Sequence, residues 1–153
     1  MNVKLVNAFI EAACEVMVQE AGAPVTRGTL KFEGNPYITE EVTAVIGISG
    51  SVRGNLLLSM SRTTALALIS RMLGQSVEKF DELEQSGIAE LANVVAGAAA
   101  TSLVAQGHET NITPPLMLLG AGVSISALDL QRLVVQLETP CGEVRLHVAV
   151  REV

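Results

Sequence analysis

The chain has 153 residues, 49% of them hydrophobic and only 3% aromatic, with a formal charge of −6 and a pI near 4.9. That length suits one domain spanning 1–153, whose core of Val, Leu, Ile and Ala is large enough to stand without disulfides or metal. The acidic balance argues against nucleic acid, whose phosphates need clustered Lys and Arg, and favours a protein partner with a basic face. No window reaches 18 uninterrupted apolar residues, as a membrane span would, and Asn2, Lys4, Asn7 and Glu11 stand where a signal peptide would be apolar, so the expected location is the cytoplasm.

Asn2 to Glu20 reads as a helix, since Val3, Val6, Phe9, Ile10, Ala13 and Met17 follow a 3.6-residue period, and Ala-Gly-Ala-Pro24 ends it. Thr29 to Glu33 is a weak strand, followed by a turn at Gly34-Asn-Pro36. Val42, Ala44, Ile46 and Ile48 alternate as a strand does, and Gly50 to Gly54 turn the chain into Asn55 to Met60, making a hairpin. Ser61 caps a helix over Arg62 to Leu73 that stops at Gly74. A long helix from about Glu82 to Gln106 runs into the polar loop Gly107-His-Glu-Thr-Asn. Pro114 and Pro115 precede a strand near Met117 to Ser126. Arg132 to Glu138 and Glu143 to Arg151 form a second hairpin around Thr139-Pro-Cys-Gly, with Val144, Leu146, Val148 and Val150 on its core face. Helices on a largely antiparallel sheet make the fold α+β.

The long helix carries the chemistry. At about 100° per residue, Ile88, Leu91, Ala92, Val95, Ala99, Ser102 and Leu103 share one stripe while Ser86, Glu90, Asn93 and Gly97 gather opposite it. Glycine inside a helix costs about 1 kcal/mol relative to alanine. Together with Ala96, Ala100 and Thr101 it keeps the outer face low and flat, so that another protein's backbone can come close. Two readings stand on the residues alone. One is a docking surface bearing an acid and an amide; the other packs these small residues under a neighbouring element and leaves Glu90 and Asn93 as ordinary solvated groups. Ser86 is open in the same way, as a docking residue or as a helix cap or first-turn residue.

Other chemistries lack their signatures. Cys14 and Cys141 form no CxxC pair and read as free thiols. His108 sits in the polar loop and His147 alternates outward with Arg145 and Arg151, so neither is spaced as a metal ligand, and no metal site is expected. Gly50-Ser-Val-Arg-Gly54 lacks the Lys-Ser or Lys-Thr and the helix start of a phosphate-binding loop. A faint repeat is present: Glu11 lies 79 residues before Glu90 (90 minus 11), and at the position matching Asn93 the first half has Cys14. That offset carries the Val42 hairpin roughly onto the strands near Gly122 and Arg132, leaving the third strand of the second half without a counterpart.

With Ser86-x-x-x-Glu90-x-x-Asn93-x-x-x-Gly97 set in this order of elements, the chain resembles the CheC/CheX/FliY family, phosphatases of the chemotaxis regulator CheY, and most of all its single-site CheX branch. The likeness also runs through Val6-Asn7-Ala8-Phe9, the Ile48-Ser-Gly50 to Gly54-Asn-Leu-Leu-Leu hairpin and the Ala65 to Gly74 helix. The resemblance implies a CheC-like fold with a degenerate internal repeat, a phosphorylated CheY-like receiver domain as substrate, and a homodimer. It implies magnesium brought by the receiver, with no cofactor of the chain's own. In this reading Asn93 orients the attacking water, Glu90 pairs with the receiver's lysine, and Cys14 limits the chain to one site. The competing class is a non-catalytic interaction module like the flagellar-switch middle domain, which shares the architecture and lacks the motif; a small-ligand sensor has little support in the few aromatics.

Overall fold

The computed structural model describes residues 2–22, 24–126 and 131–153. In chain order these form α1 (Val3–Ala21), β1 (Thr26–Glu33), β2 (Tyr37–Ile38), β3 (Val42–Gly50), β4 (Val52–Met60), α2 (Arg62–Leu73), α3 (Glu82–Ala105), β5 (Thr110–Ile112), β6 (Leu116–Leu119), β7 (Ser124–Ile125), β8 (Arg132–Thr139) and β9 (Gly142–Glu152). Local chemistry sets the helix ends. The Asn2 carboxamide accepts from the Lys4 amide at 2.9 Å, Ser61 Oγ accepts from the Thr64 amide at 3.1 Å, and α2 stops at Gly74 in a left-handed conformation.

Seven strands form one antiparallel sheet in the order β1-β8-β9-β4-β3-β5, with β6 also paired to β3. Alternation sends Val144, Leu146, Val148 and Val150 of β9 into the main core, where they meet Phe9 and Met17 of α1, Leu68 of α2, and Ile88, Leu91 and Val95 of α3. Each such side chain is worth about 1.5–3 kcal/mol of burial. The opposite face is covered in part by the β2-β7 ribbon, where Tyr37 and Leu57 make a small second core with Val45 and Ile125.

The sheet reveals the repeat more clearly than the sequence does. The hairpins β3-β4 and β8-β9 meet along β4 and β9 at its centre. Each half then lends a strand to the other: β1 pairs with β8, as β5 and β6 pair with β3. The register shift of β1 between Arg27 and Leu30 answers the interruption between β5 and β6. α1 packs on α3, and β2 pairs with β7. These pairings correct the expected matching. The counterpart of the Val42 hairpin is the Arg132 hairpin, 90 residues later (132 minus 42), so the third strand of the second half, β9, does have a counterpart, β4, and the strand near Met117 answers β1 instead of the Val42 strand.

Three further differences have identifiable causes. The expected strand from Met117 to Ser126 is split, because Gly120 and Gly122 take positive φ values of 123° and 80° and turn the chain between β6 and β7. The Gly107-to-Asn111 segment, read as loop, contributes Thr110 and Asn111 to β5, anchored on Gly50 and Ser49. His147 does point away from the helices, as alternation requires, but the ring of Tyr37 lies over it with centroids 5.0 Å apart, so it is only 3% exposed.

Candidate functional site

α3 starts at Asp81, whose backbone amide donates to Glu84 Oε1 at 3.0 Å, one half of a capping box. Ser86 therefore lies beyond the first turn and is exposed, which removes the cap reading. Glu90 is exposed as well, while Asn93 and Gly97 are half-buried on the same side. Helical geometry keeps these four within an arc of about 60°, with Glu90 and Asn93 about 4.5 Å apart along the axis. Among the described residues none of the Ser86, Glu90 or Asn93 side chains has a hydrogen-bond or ion-pair partner. An acid and an amide thus project together and are not engaged within the chain.

Gly97 bears on the reading in which the small residues pack under a neighbouring element. A Cβ built there would meet nothing within 4 Å among the described residues. Gly87 behaves in the opposite way: its Cβ would come within 2.5 Å of Ile69 Cδ1, which is how α2 seats closely against α3. Of the two glycines in this helix, one is small for the fold and the other is not. Ala100 is half-buried and Thr101 exposed beside Gly97, with Thr101 Oγ1 donating to the Gly97 carbonyl at 2.9 Å.

Ala96 was expected on this face and is not there: its exposure is 0%. The buried stripe of α3 is wider than the strict i, i+3, i+4 pattern, running from Leu91 around to Ala96 through about 140°, because α1, α2 and the sheet all press on it. That breadth also explains why α3 is, by composition, long and apolar enough to cross a membrane, with 44% of its most apolar window buried in the core.

On α1 the matching positions keep the geometry. Glu11 is exposed like Glu90, and Cys14 is half-buried like Asn93. A thiol there offers neither the paired donor and acceptor of an amide nor its reach.

The groups with the largest electrostatic perturbation lie elsewhere, on the sheet face away from the helices. Clefts of about 500 and 420 Å³ are lined by Glu40 and Arg145, the first also by Ser61 and Thr64 at the start of α2, the second by Tyr37, Arg132 and His147, and neither by residues of α3. Burial, reinforced by the Arg132 guanidinium, pushes His147 down to about 4. Its imidazole is therefore neutral in the folded chain at neutral pH. The unfolded chain takes up the proton below its ordinary value of 6.5, so stability is full above that pH and declines as pH falls toward 4. Glu33, 3.6 Å from Arg132 and 3.0 Å from Lys31, is held below the usual carboxylate range by its hydrogen bond with Lys31 and acts in the same direction at lower pH. The sequence reading had no signal for this cluster, since it depends on the two-residue strand that carries Tyr37.

Among the described residues no group of three or more His, Cys, Asp and Glu side chains is arranged to hold a metal ion. The arrangement on α3 suits a large substrate that covers the helix, brings its own reactive group, and receives from this chain one anion and one hydrogen-bonding amide.

Known proteins share this arrangement's setting. The family model for the chemotaxis phosphatase CheX matches residues 42–138. The CheY-P phosphatase CheX of Thermotoga maritima is 34% identical over 128 residues, covering 83% of each chain. A CheC-like superfamily protein from a Shewanella species superposes with a TM-score of 0.88 at 24% identity over 99% of both chains. CheX from Borrelia burgdorferi, in a complex with CheY, BeF3 and magnesium, superposes with a TM-score of 0.83 at 25% identity, covering 99% of this chain and 100% of that one. With a family model that matches residues 42–138, more than half of the chain, and a relative at 34% identity, the chain belongs to the CheX chemotaxis phosphatase family.

Proposed function

We propose that the protein hydrolyses the aspartyl phosphate of a CheY-like receiver domain, acting from the outer face of α3 in the cytoplasm. The observation that carries this is the pairing of Glu90 and Asn93, unengaged among the described residues, beside a Gly97 that none of those residues covers. The Thermotoga relative named as a CheY-P phosphatase, and the Borrelia complex in which BeF3 stands for a phosphoryl group, support it.

An acyl phosphate is already activated, so hydrolysis needs a water in line with phosphorus rather than a covalent nucleophile. The water oxygen bonds phosphorus as the bond to the aspartate oxygen breaks, releasing inorganic phosphate and free aspartate. Magnesium bound by the receiver supplies positive charge at the phosphoryl oxygens. The carboxamide of Asn93 is no base; its oxygen accepts a hydrogen bond from the water and holds it on line, a positioning role. Glu90, one turn earlier, pairs with the lysine that receiver domains hold near their phosphorylation site, because a lysine withdrawn from water needs a partner. Gly97, Ala100 and Thr101 let the receiver's loops approach the helix closely, and Ser86 borders the contact.

A homodimer formed along β1 fits the same structure. Among the described residues β1 is an edge strand of the sheet, and Leu30 and Phe32, both 57% exposed, continue the core-facing row of Val135 and Leu133 past that edge. Phe32→Lys is expected to halve the mass measured by light scattering.

The function is tested by the lifetime of phosphate on CheY-like receiver domains with and without the protein. Acceleration is expected, and no acceleration on any receiver would favour a non-catalytic interaction module.

A further inference from the structure

The apolar side chain most exposed on α3 is Leu83, at 72%. It stands on the reactive face: seven residues before Glu90, it lies about 20° from it around the axis and about 10 Å along it. α2 packs on α3 at Gly87, yet leaves Leu83, one turn earlier, uncovered. Lys, Glu or Gln would form the helix equally well at this position, so helix formation alone does not select Leu.

α1 supplies a control within the molecule. Under the 79-residue offset that matches Glu11 to Glu90, the two helices start together, Val3 matching Glu82. Lys4 then matches Leu83, Asn7 matches Ser86, Cys14 matches Asn93 and Val18 matches Gly97. The helix that lacks the amide also lacks the small residue and the leucine.

We propose that Leu83 is the apolar anchor through which this site selects its receiver domain, a specificity-determining residue rather than a catalytic one. This rests on the phosphatase reading above. The charges near Leu83 in the chain define the complement: Glu78, Asp81, Glu82 and Glu90 are exposed beside Lys79, with Arg62 of α2 lining a cleft next to Phe80 and Gln85. The receiver surface that fits is an apolar depression with a basic rim, about 10–15 Å from the phosphorylated aspartate. An interface of ordinary size, about 800 Å² on each partner, covers that span. A buried leucine surrounded by polar contacts that exclude water is the usual form of an anchor.

The test is the dephosphorylation rate as a function of phosphorylated receiver concentration for wild type, Leu83→Ala, Leu83→Glu and Asn93→Ala. Leu83→Ala is expected to raise KM about tenfold and Leu83→Glu further, each with kcat within twofold of wild type. Because Leu83 is exposed, both variants keep the wild-type melting temperature. A KM within twofold for both, while Asn93→Ala loses kcat, overturns the anchor and leaves the phosphatase reading standing. A loss of kcat at unchanged KM in the Leu83 variants also overturns it. A wild-type protein that accelerates no receiver removes the function itself, and the anchor with it.

Discussion

α1 and α3 are two versions of one helix. They pack on each other, occupy equivalent places in the two halves of the sheet, and expose Glu11 and Glu90 alike, yet only α3 follows its acid with an amide. The backbone that presents a site and the side chains that give it chemistry are therefore separable. The repeat supplies the presentation twice, and a few positions decide which copy can act: Asn93 against Cys14, Gly97 against Val18, Leu83 against Lys4.

The largest test of that contrast is Asn93→Ala. Removing one hydrogen bond made in the transition state costs about 2–4 kcal/mol, so kcat should fall about 30- to 1000-fold while affinity for a BeF3-activated receiver stays nearly unchanged. Glu90→Ala comes next. A hydrogen bond to a charged partner is worth about 1.5–3 kcal/mol, so binding should weaken by about 10- to 100-fold and the rate with it. Glu11→Ala, at the matching place on α1, should leave both within twofold in the same titration, and equal losses in the two variants would break the contrast. Gly97→Ala gives the smallest effect, with opposite signs for fold and function. No atom of the described residues obstructs the new methyl, so the helix should gain up to about 1 kcal/mol in denaturant unfolding, while kcat/KM drops several-fold because the receiver loses its closest approach.

The parts of this molecule legible in its sequence are those governed by local rules. α2 was bounded at Arg62 and Leu73 because Ser61 and Gly74 cap it within a few residues. The Glu90-Asn93 face followed from helical period alone. What escaped depends on distant chain: β5 forms because Gly50 offers it an edge, His147 is buried because Tyr37 arrives from another strand, and Ala96 is covered because α3 is packed from more directions than one stripe implies. The repeat lay between these cases. Its helices matched by residue spacing, but its strands exchange between halves, so only pairing reveals which answers which.

The most direct measurement makes α3 resemble α1 at one position. Asn93→Cys places on the reactive helix the residue that Cys14 holds on the other. At saturating enzyme, the loss of phosphate from the receiver is expected to fall to the receiver's own rate, with binding to the BeF3-activated receiver within threefold of wild type. Wild-type turnover by Asn93→Cys would contradict the water-orienting role of Asn93, and with it the conclusion that this chain carries one site.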